Sequence, residues 1–454
     1  MTATLHAMGH AARRPRVAVV GSGIAGLGAA AQLAAHAKVV LFEADSHFGG
    51  HAHTVDLTLP GPGGLVTHGV DTGFLVFNHA TYPQLLKLFN DLAVPTVKSE
   101  MSFSVQVPQA GLEWSGCNLD TVFAQRGNLF KPRFLGMLRD LTRFNRITTQ
   151  IAERGEEAAQ QQPIGDFLLA QRFSNAFRDW YLLPMLGCIW SCPTDQMLRF
   201  PVATMIRFCH NHGLIRVTDR PQWYTVQGGS REYVRRLLQR IPDARLNTPV
   251  TGVRRVPPAT GSAGVWVDTA HGSSVFDAVV LAGHSDQSLA LLGAQATADE
   301  RAVLGAIRYQ RNRAVLHTDA TLLPKRQKAW AAWNYERSVL ASQEQSAVCL
   351  HYLLNRLQPL PWAQPVVVSL NPTREPAASM VHGEFDYAHP VFDAAAIAAQ
   401  QRLPGIQGQS QIWFAGAWTR YGFHEDGLRS GLAVADALRA QWAGAAASPV
   451  RVAA

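Results

Sequence analysis

The alternation of apolar and polar positions lays out the elements of this chain before any motif is considered. Val17-Ala-Val-Val20 is a short, unbroken apolar run, the pattern of a strand buried on both faces of a parallel sheet. The glycine-rich turn Gly21-Ser-Gly-Ile-Ala-Gly26 follows, then an Ala-rich stretch to about Ala37 that predicts a helix. A second apolar run, Val39–Phe42, ends at Glu43. Far downstream, Gln411-Ile-Trp-Phe-Ala-Gly416 reads as a strand ending in glycine. His424 to about Trp442 reads as a helix, with Asp426 as its N-cap. Between these ends, residues 79–225 carry helical periodicity. From Arg133 to Ile147, Phe134, Leu138, Leu141 and Phe144 share one face, with Arg139, Arg143 and Arg146 opposite. Ala314–His317, Val348–His351 and Val366–Ser369 suit antiparallel strands. Val265–Asp268 and Val275–Leu281 also read as strands, and Gly228–Leu238 as a capped amphipathic helix.

Composition narrows the class. With 454 residues, 47% hydrophobic and 16% charged, the chain is too long for one small module and too apolar for disorder. No uninterrupted apolar stretch approaches the roughly 18 residues of a spanning helix. A net charge of +8 raises polyanions as partners, but the cations form no long run, so nucleic acid is not expected. Five cysteines (117, 188, 192, 209, 349) make no disulfide framework and fit a reducing, cytoplasmic setting. Arg13, Arg14 and Arg16 ahead of an apolar run imitate a secretory signal, yet Gly21, Gly23, Gly26 and Gly28 break that run. Residues 1–14 read as a flexible tail. Cys192, Cys209, His210 and His212 match no standard zinc spacing, so no metal is expected.

Strand, glycine turn, helix, strand and acid together form a dinucleotide fingerprint. Gly21 permits the tight turn, Gly23 lets backbone approach a pyrophosphate, and Gly26 lets helix and strand pack closely. The helix N-terminus offers free N–H groups to phosphate. Glu43 stands where a carboxylate accepts ribose hydroxyls. Phe48-Gly-Gly-His51 and Asp71-Thr-Gly-Phe74 then bring glycine-permitted backbone back over the dinucleotide.

These segments resemble the flavin amine oxidase and phytoene desaturase superfamily, in which both chain ends grip FAD. Tyr181-Leu-Leu-Pro-Met, Ile189-Trp-Ser, Arg220 to Arg231, His284-Ser-Asp286 and Tyr421 to Leu428 resemble more closely still a bacterial family of predicted FAD-binding oxidoreductases associated with cyclopropane-fatty-acid synthase. The resemblance implies an α/β, Rossmann-like, two-ended FAD-binding domain over 15–78, 226–290 and 405–454. An α+β substrate domain, part helical and part antiparallel sheet, would occupy 79–225 and 291–404. It implies FAD contacts from Gly21, Ser22, Gly23, Ile24, Ala25, Gly26, Glu43 and Ala44, and from Gly49, Gly50 and His51 along the pyrophosphate. Thr72, Gly73 and Phe74 would flank the flavin, and Val250 would bracket adenine through its backbone. Gly416, Glu425, Asp426, Gly427 and Ser430 would close over the ribityl chain. The superfamily usually has Arg where His51 stands, so charge there is expected to vary near neutral pH. Ala417 replaces a frequent acid. No cysteine lies near Gly416, so the FAD is expected to be non-covalent.

The substrate is expected to be apolar, an acyl lipid, handled by desaturation or saturation. Trp190, Phe208, Trp223, Tyr224 and Trp418 would line its pocket, since small-molecule sites are mostly apolar, and Tyr421, His424 and Glu425 are the expected catalytic residues, with His424 relaying a proton. Amine oxidation, with Trp418 and Tyr421 enclosing the nitrogen, is the alternative. A non-catalytic, flavin-stabilised companion of a lipid-modifying, methyltransferase-type enzyme is the third reading. The arginine face of residues 133–147 either is solvated or meets anionic lipid as a peripheral membrane contact.

Overall fold

The computed structural model describes residues 13–215, 220–256, 264–338 and 347–447. All but residues 13 and 14 of the expected tail lie outside them. The first strand, Arg16–Val20, is flanked by Lys38–Phe42 on one side and Ala278–Leu281 on the other, both parallel to it. Asp243–Arg245 and Ile412–Phe414 complete a five-stranded parallel sheet at its two edges. Val17, Ala18 and Val19 are wholly buried, as expected of a strand covered on both faces. The helix Ile24–Leu33 follows the first glycine turn, and the C-terminal helix His424–Ala447 packs along it. The opposite face carries a three-stranded antiparallel sheet, Val250–Arg255, Val265–Thr269 and Gly272–Phe276, over a second cluster of buried apolar residues.

The second large unit is a seven-stranded sheet ordered Val381–Val391, Arg308–His317, Val367–Leu370, Cys349–Leu353, Trp333–Glu336, Phe103–Val107 and Leu112–Ser115. The three strands expected at 314–317, 348–351 and 366–369 are adjacent and antiparallel in it. Residues 79–225 are less uniformly helical than their periodicity suggests. Thr96–Ser99, Phe103–Val107, Leu112–Ser115 and Trp223–Val226 are strands. Phe103–Val107 is buried on both faces, and a strand so placed shows no clean alternation to read. The helices of this region include Pro132–Glu153, Leu183–Trp190 and Val202–Asn211, which pack around Phe134, Phe144, Phe177 and Phe208. Within Pro132–Glu153 the apolar face is buried at Phe134, Met137 and Phe144.

Candidate functional site

A cavity of about 430 Å³ lies between the parallel sheet and the seven-stranded sheet. One end is built by the N-terminal fingerprint. Gly21 turns at a φ of 101°, and Gly23 begins the helix Ile24–Leu33 with no side-chain cap, so its first amides face the cavity. Glu43, at the end of the second strand, accepts hydrogen bonds from the Ser22 backbone N–H at 2.8 Å and from the Ser22 hydroxyl at 2.5 Å. Gly49 and Gly50, at φ of 119° and 57°, bring a second loop against Gly23, to which Gly49 is bridged. A Cβ on Gly73 would lie 2.2 Å from the His51 carbonyl oxygen, so this backbone approach admits only glycine.

Above this floor stand four histidines, His51, His284, His389 and His424, and a fifth, His212, lines the cavity where it stacks on Phe208 at 4.0 Å. The His51 ring lies 5.3 Å from His389 and 6.5 Å from His284, and Asn312 Nδ2 stands 3.0 Å from His389 Nδ1. His424 stacks on Phe74 at 3.9 Å and pairs with the Tyr233 hydroxyl at 2.6 Å. Burial pushes His424 down to about 3 and His389 to about 4, the latter helped by His284. Burial, followed by its histidine neighbours, holds His51 well below its ordinary value. These rings are therefore neutral at physiological pH. The expectation that charge at His51 varies near neutral pH is corrected: desolvation in the cavity wall, helped by the neighbouring histidines, holds its imidazole well below the ordinary value. His51 Nε2 is buried without a partner, an unmet polar atom beside the pyrophosphate cradle.

Residues 24–302 match the model of the family described as flavin containing amine oxidoreductase. The chain belongs to that family. No curated protein matches it. Among solved structures, it is similar to a CLA-producing fatty acid isomerase from P. acnes, with 15% identity over 94% of this chain and 98% of that one and a TM-score of 0.64. Cyclohexylamine oxidase from Brevibacterium oxydans shares 15% identity over 95% and 100%, with a TM-score of 0.65. Putrescine oxidase bound to putrescine shares 14% over 94% and 99%, with a TM-score of 0.64. These likenesses establish the fold, an FAD-binding α/β domain joined to a substrate-binding domain.

This FAD-dependent oxidoreductase has a floor that fits its cofactor: uncapped helix amides, glycines at close approach, the Glu43 carboxylate and the orphaned His51 nitrogen. When bound, FAD supplies the group that accepts or returns a hydride. Gly21 through Ala25, Glu43, Gly49, Gly50, His51, Thr72, Gly73, Phe74, Gly416 and Gly427 all line the cavity, as do Trp190, Phe208, Trp223, Trp418, Tyr421 and His424.

Others named from sequence stand elsewhere. Gly26 lies behind the wall, where a Cβ would meet the Gly21 carbonyl oxygen at 1.9 Å. Exposed Ala44 is outside, and Val250 sits in the antiparallel sheet opposite Thr269. Tyr224 stacks on His79 at 4.2 Å, away from the cavity. Glu425 is not in the wall either. Its carboxylate accepts the Gln84 and Leu85 backbone N–H groups, both at 2.9 Å, at the start of the helix Pro83–Asp91. Asp426 is the third residue of its helix rather than the N-cap, and its carboxylate reaches back to the Tyr421 and Phe423 N–H groups. Ser430 Oγ accepts from Gly416 N at 2.8 Å and thus ties the helix to the last strand.

Sequence reasoning missed His284, Tyr309, Tyr387 and His389 as wall residues. His284 had an available signal, since it follows the strand Ala278–Leu281 and ligands sit beyond the carboxyl ends of parallel strands. The other three come from the long strands of the second sheet, and no local pattern announces them.

The cysteines weighed for zinc are buried thiols. Burial pushes Cys192, together with Asp195, up to about 12, and burial alone does the same to Cys209. One other trio among the described residues brings ligand-type atoms together: Glu336, Cys349 and His351, on the face of the seven-stranded sheet away from the cavity. His351 Nε2 lies 3.1 Å from Glu336 and 3.5 Å from Cys349, while its Nδ1 meets the Ser369 hydroxyl at 2.7 Å. Gln106 Nε2 donates to the same Glu336 oxygen at 3.2 Å, aiming a donor where a cation would sit. The trio is a saturated hydrogen-bond network.

Proposed function

We propose that this oxidoreductase moves hydrogen to or from an uncharged, apolar substrate, an acyl lipid. The observation that carries the reading is the chemistry of the cavity wall. Beyond the cofactor floor it is made by Met101, Ile189, Trp190, Phe208, Leu214 and Trp223 from the helical part and by Trp333, Tyr352 and Leu370 from the sheet. Among the described residues, Glu43, at the nucleotide end, is the one carboxylate in the wall, and no Lys or Arg is present. The five histidines, His212 included, are held below their ordinary value by burial. An alkylammonium buried here would lose several kcal/mol of hydration, of which aromatic faces return about 2. An acyl chain meets no such penalty and gains from each buried methylene. The fold alone leaves both substrates open, since its similar structures include a fatty acid isomerase and amine oxidases.

In desaturation, two adjacent substrate carbons would give up a hydride, which bound FAD would accept, and a proton. In saturation, the same atoms and electrons move the other way. The chain's own part is to hold the substrate carbon over the cofactor and to exclude water. Anaerobic titration of the FAD-loaded protein tests the reading. Acyl lipids are expected to bleach the oxidised flavin, or to restore its colour after chemical reduction. Bleaching by alkylamines, with lipids inert in both directions, would overturn it.

A further inference from the structure

Seven large hydrophobic side chains stand exposed among the described residues, and four of them, Leu119, Leu129, Phe130 and Leu135, fall between positions 119 and 135. Single exposed leucines are ordinary; a cluster marks an interaction site. Phe130 is 86% exposed and Leu119 77%. They ride on the short helix Leu119–Val122, the turn Arg126–Phe130 and the first residues of Pro132–Glu153. Exposed Arg126 and Arg133 share the segment with Lys131, and exposed Lys325 and Lys328 come from the neighbouring loop. Asp120 is the one acid in the segment, and it is already bracketed by Arg126 and by Lys328, the latter at 2.9 Å. The Arg133 guanidinium stacks over the Trp180 ring at 5.0 Å, and the residue is still exposed.

We infer that this segment docks on an anionic lipid bilayer. Phe130 and Leu119 enter the boundary between headgroups and acyl chains, and the surplus cations face lipid phosphates. A second copy of the chain fits less well, because pairing the patch with itself would set its cations against each other. The site differs from the arginine face first considered. Arg143 on that face donates to the Gln171 carbonyl at 2.7 Å and is half-buried, whereas Arg133 is exposed.

Co-sedimentation of the full FAD-loaded chain with vesicles tests the inference, with phosphatidylcholine alone compared against its mixture with phosphatidylglycerol. Binding is expected with the mixture only, falling as salt rises. Leu119→Ser combined with Phe130→Ser should weaken it about tenfold. Lys131→Glu combined with Arg133→Glu should abolish the preference for the anionic mixture. Leu65→Ser, which alters an equally projecting side chain on the hairpin of residues 54–71, should change nothing. Undiminished binding by both paired variants overturns the inference, as does absence of binding to either vesicle. A dimer that Phe130→Ser dissociates would assign the patch to a second copy and also overturn it. Vesicle binding requires no turnover, so its failure is distinct from failure of the acyl-lipid reading.

Discussion

Gly23 and Gly26 stand three residues apart in one turn, and their surroundings give them different work. A Cβ on Gly26 would sit 1.9 Å from the Gly21 carbonyl oxygen, inside the protein's own backbone. A Cβ on Gly23 would meet no protein atom within 4 Å. Gly26→Ala should therefore cost about 1–3 kcal/mol of stability as packing is forced apart, and the flavin should be lost with it. Gly23→Ala should leave the flavin-free protein within about 0.5 kcal/mol of the original, yet weaken FAD binding, because the space it fills is the cofactor's. Thermal melts of the flavin-free proteins, set beside FAD titration, separate the two. Equal destabilisation by both would remove Gly23 from the cofactor's path. The spacing in the sequence was enough to name both glycines. It did not show which neighbours crowd each one, because Gly21 and Gly26 meet through a fold in the backbone.

At the level of elements, the strands of the two sheets were legible wherever short apolar runs were bounded by polar residues, as at 17–20, 39–42 and 314–317. The polar ladder on the far face of the seven-stranded sheet was not. Glu336, His351, Ser369 and His317 come from four strands and meet only once pairing sets Glu336 opposite Cys349 and His351 opposite Ser369. Burial draws His351 down, but Cys349 and Glu336 outweigh it and raise the imidazole to about 9 from its usual 6.5. Burial acts to raise Glu336, yet its bonds to His351 and Thr373 leave the carboxyl below its usual 4.5. A raised histidine stabilises the fold fully below its unfolded value and loses that contribution as pH climbs through the folded one. A depressed carboxyl does so above its unfolded value and loses it on acidification. The pair thus contributes most between pH 4.5 and 6.5 and fades towards 9. Glu336→Gln should cost about 3 kcal/mol near pH 6, with the difference shrinking as pH passes 9. Urea unfolding at the two pH values reads this directly, and a deficit independent of pH would deny the pair its charge.

For the molecule as a whole, the cofactor floor exists only where the two chain ends meet. The helix Ile24–Leu33 and the helix His424–Ala447 lie close enough that a Cβ on Gly431 would fall 2.0 Å from the Ala25 carbonyl oxygen. One built on Gly28 would strike Leu428 at 2.6 Å. Ser430 ties the same helix to Gly416 at the end of the last parallel strand, and Glu425 ties it to the start of Pro83–Asp91. Glu425, expected from sequence to act on substrate, thus acts as a fastener, a role that depends on a helix more than three hundred residues away in the chain. Gly431 lies outside the fingerprint and does not itself line the cavity, but a side chain there would press on the backbone of Ala25, which does. Gly431→Val should separate the two helices, cost about 1–3 kcal/mol and yield protein with little or no flavin colour. Gly405→Val is the matching control, since a Cβ there meets nothing within 4 Å. If Gly431→Val kept full flavin content and an unchanged melting temperature, the close packing of the two ends would not be what holds the cofactor floor together, and the N-terminal fingerprint would have to carry FAD by itself.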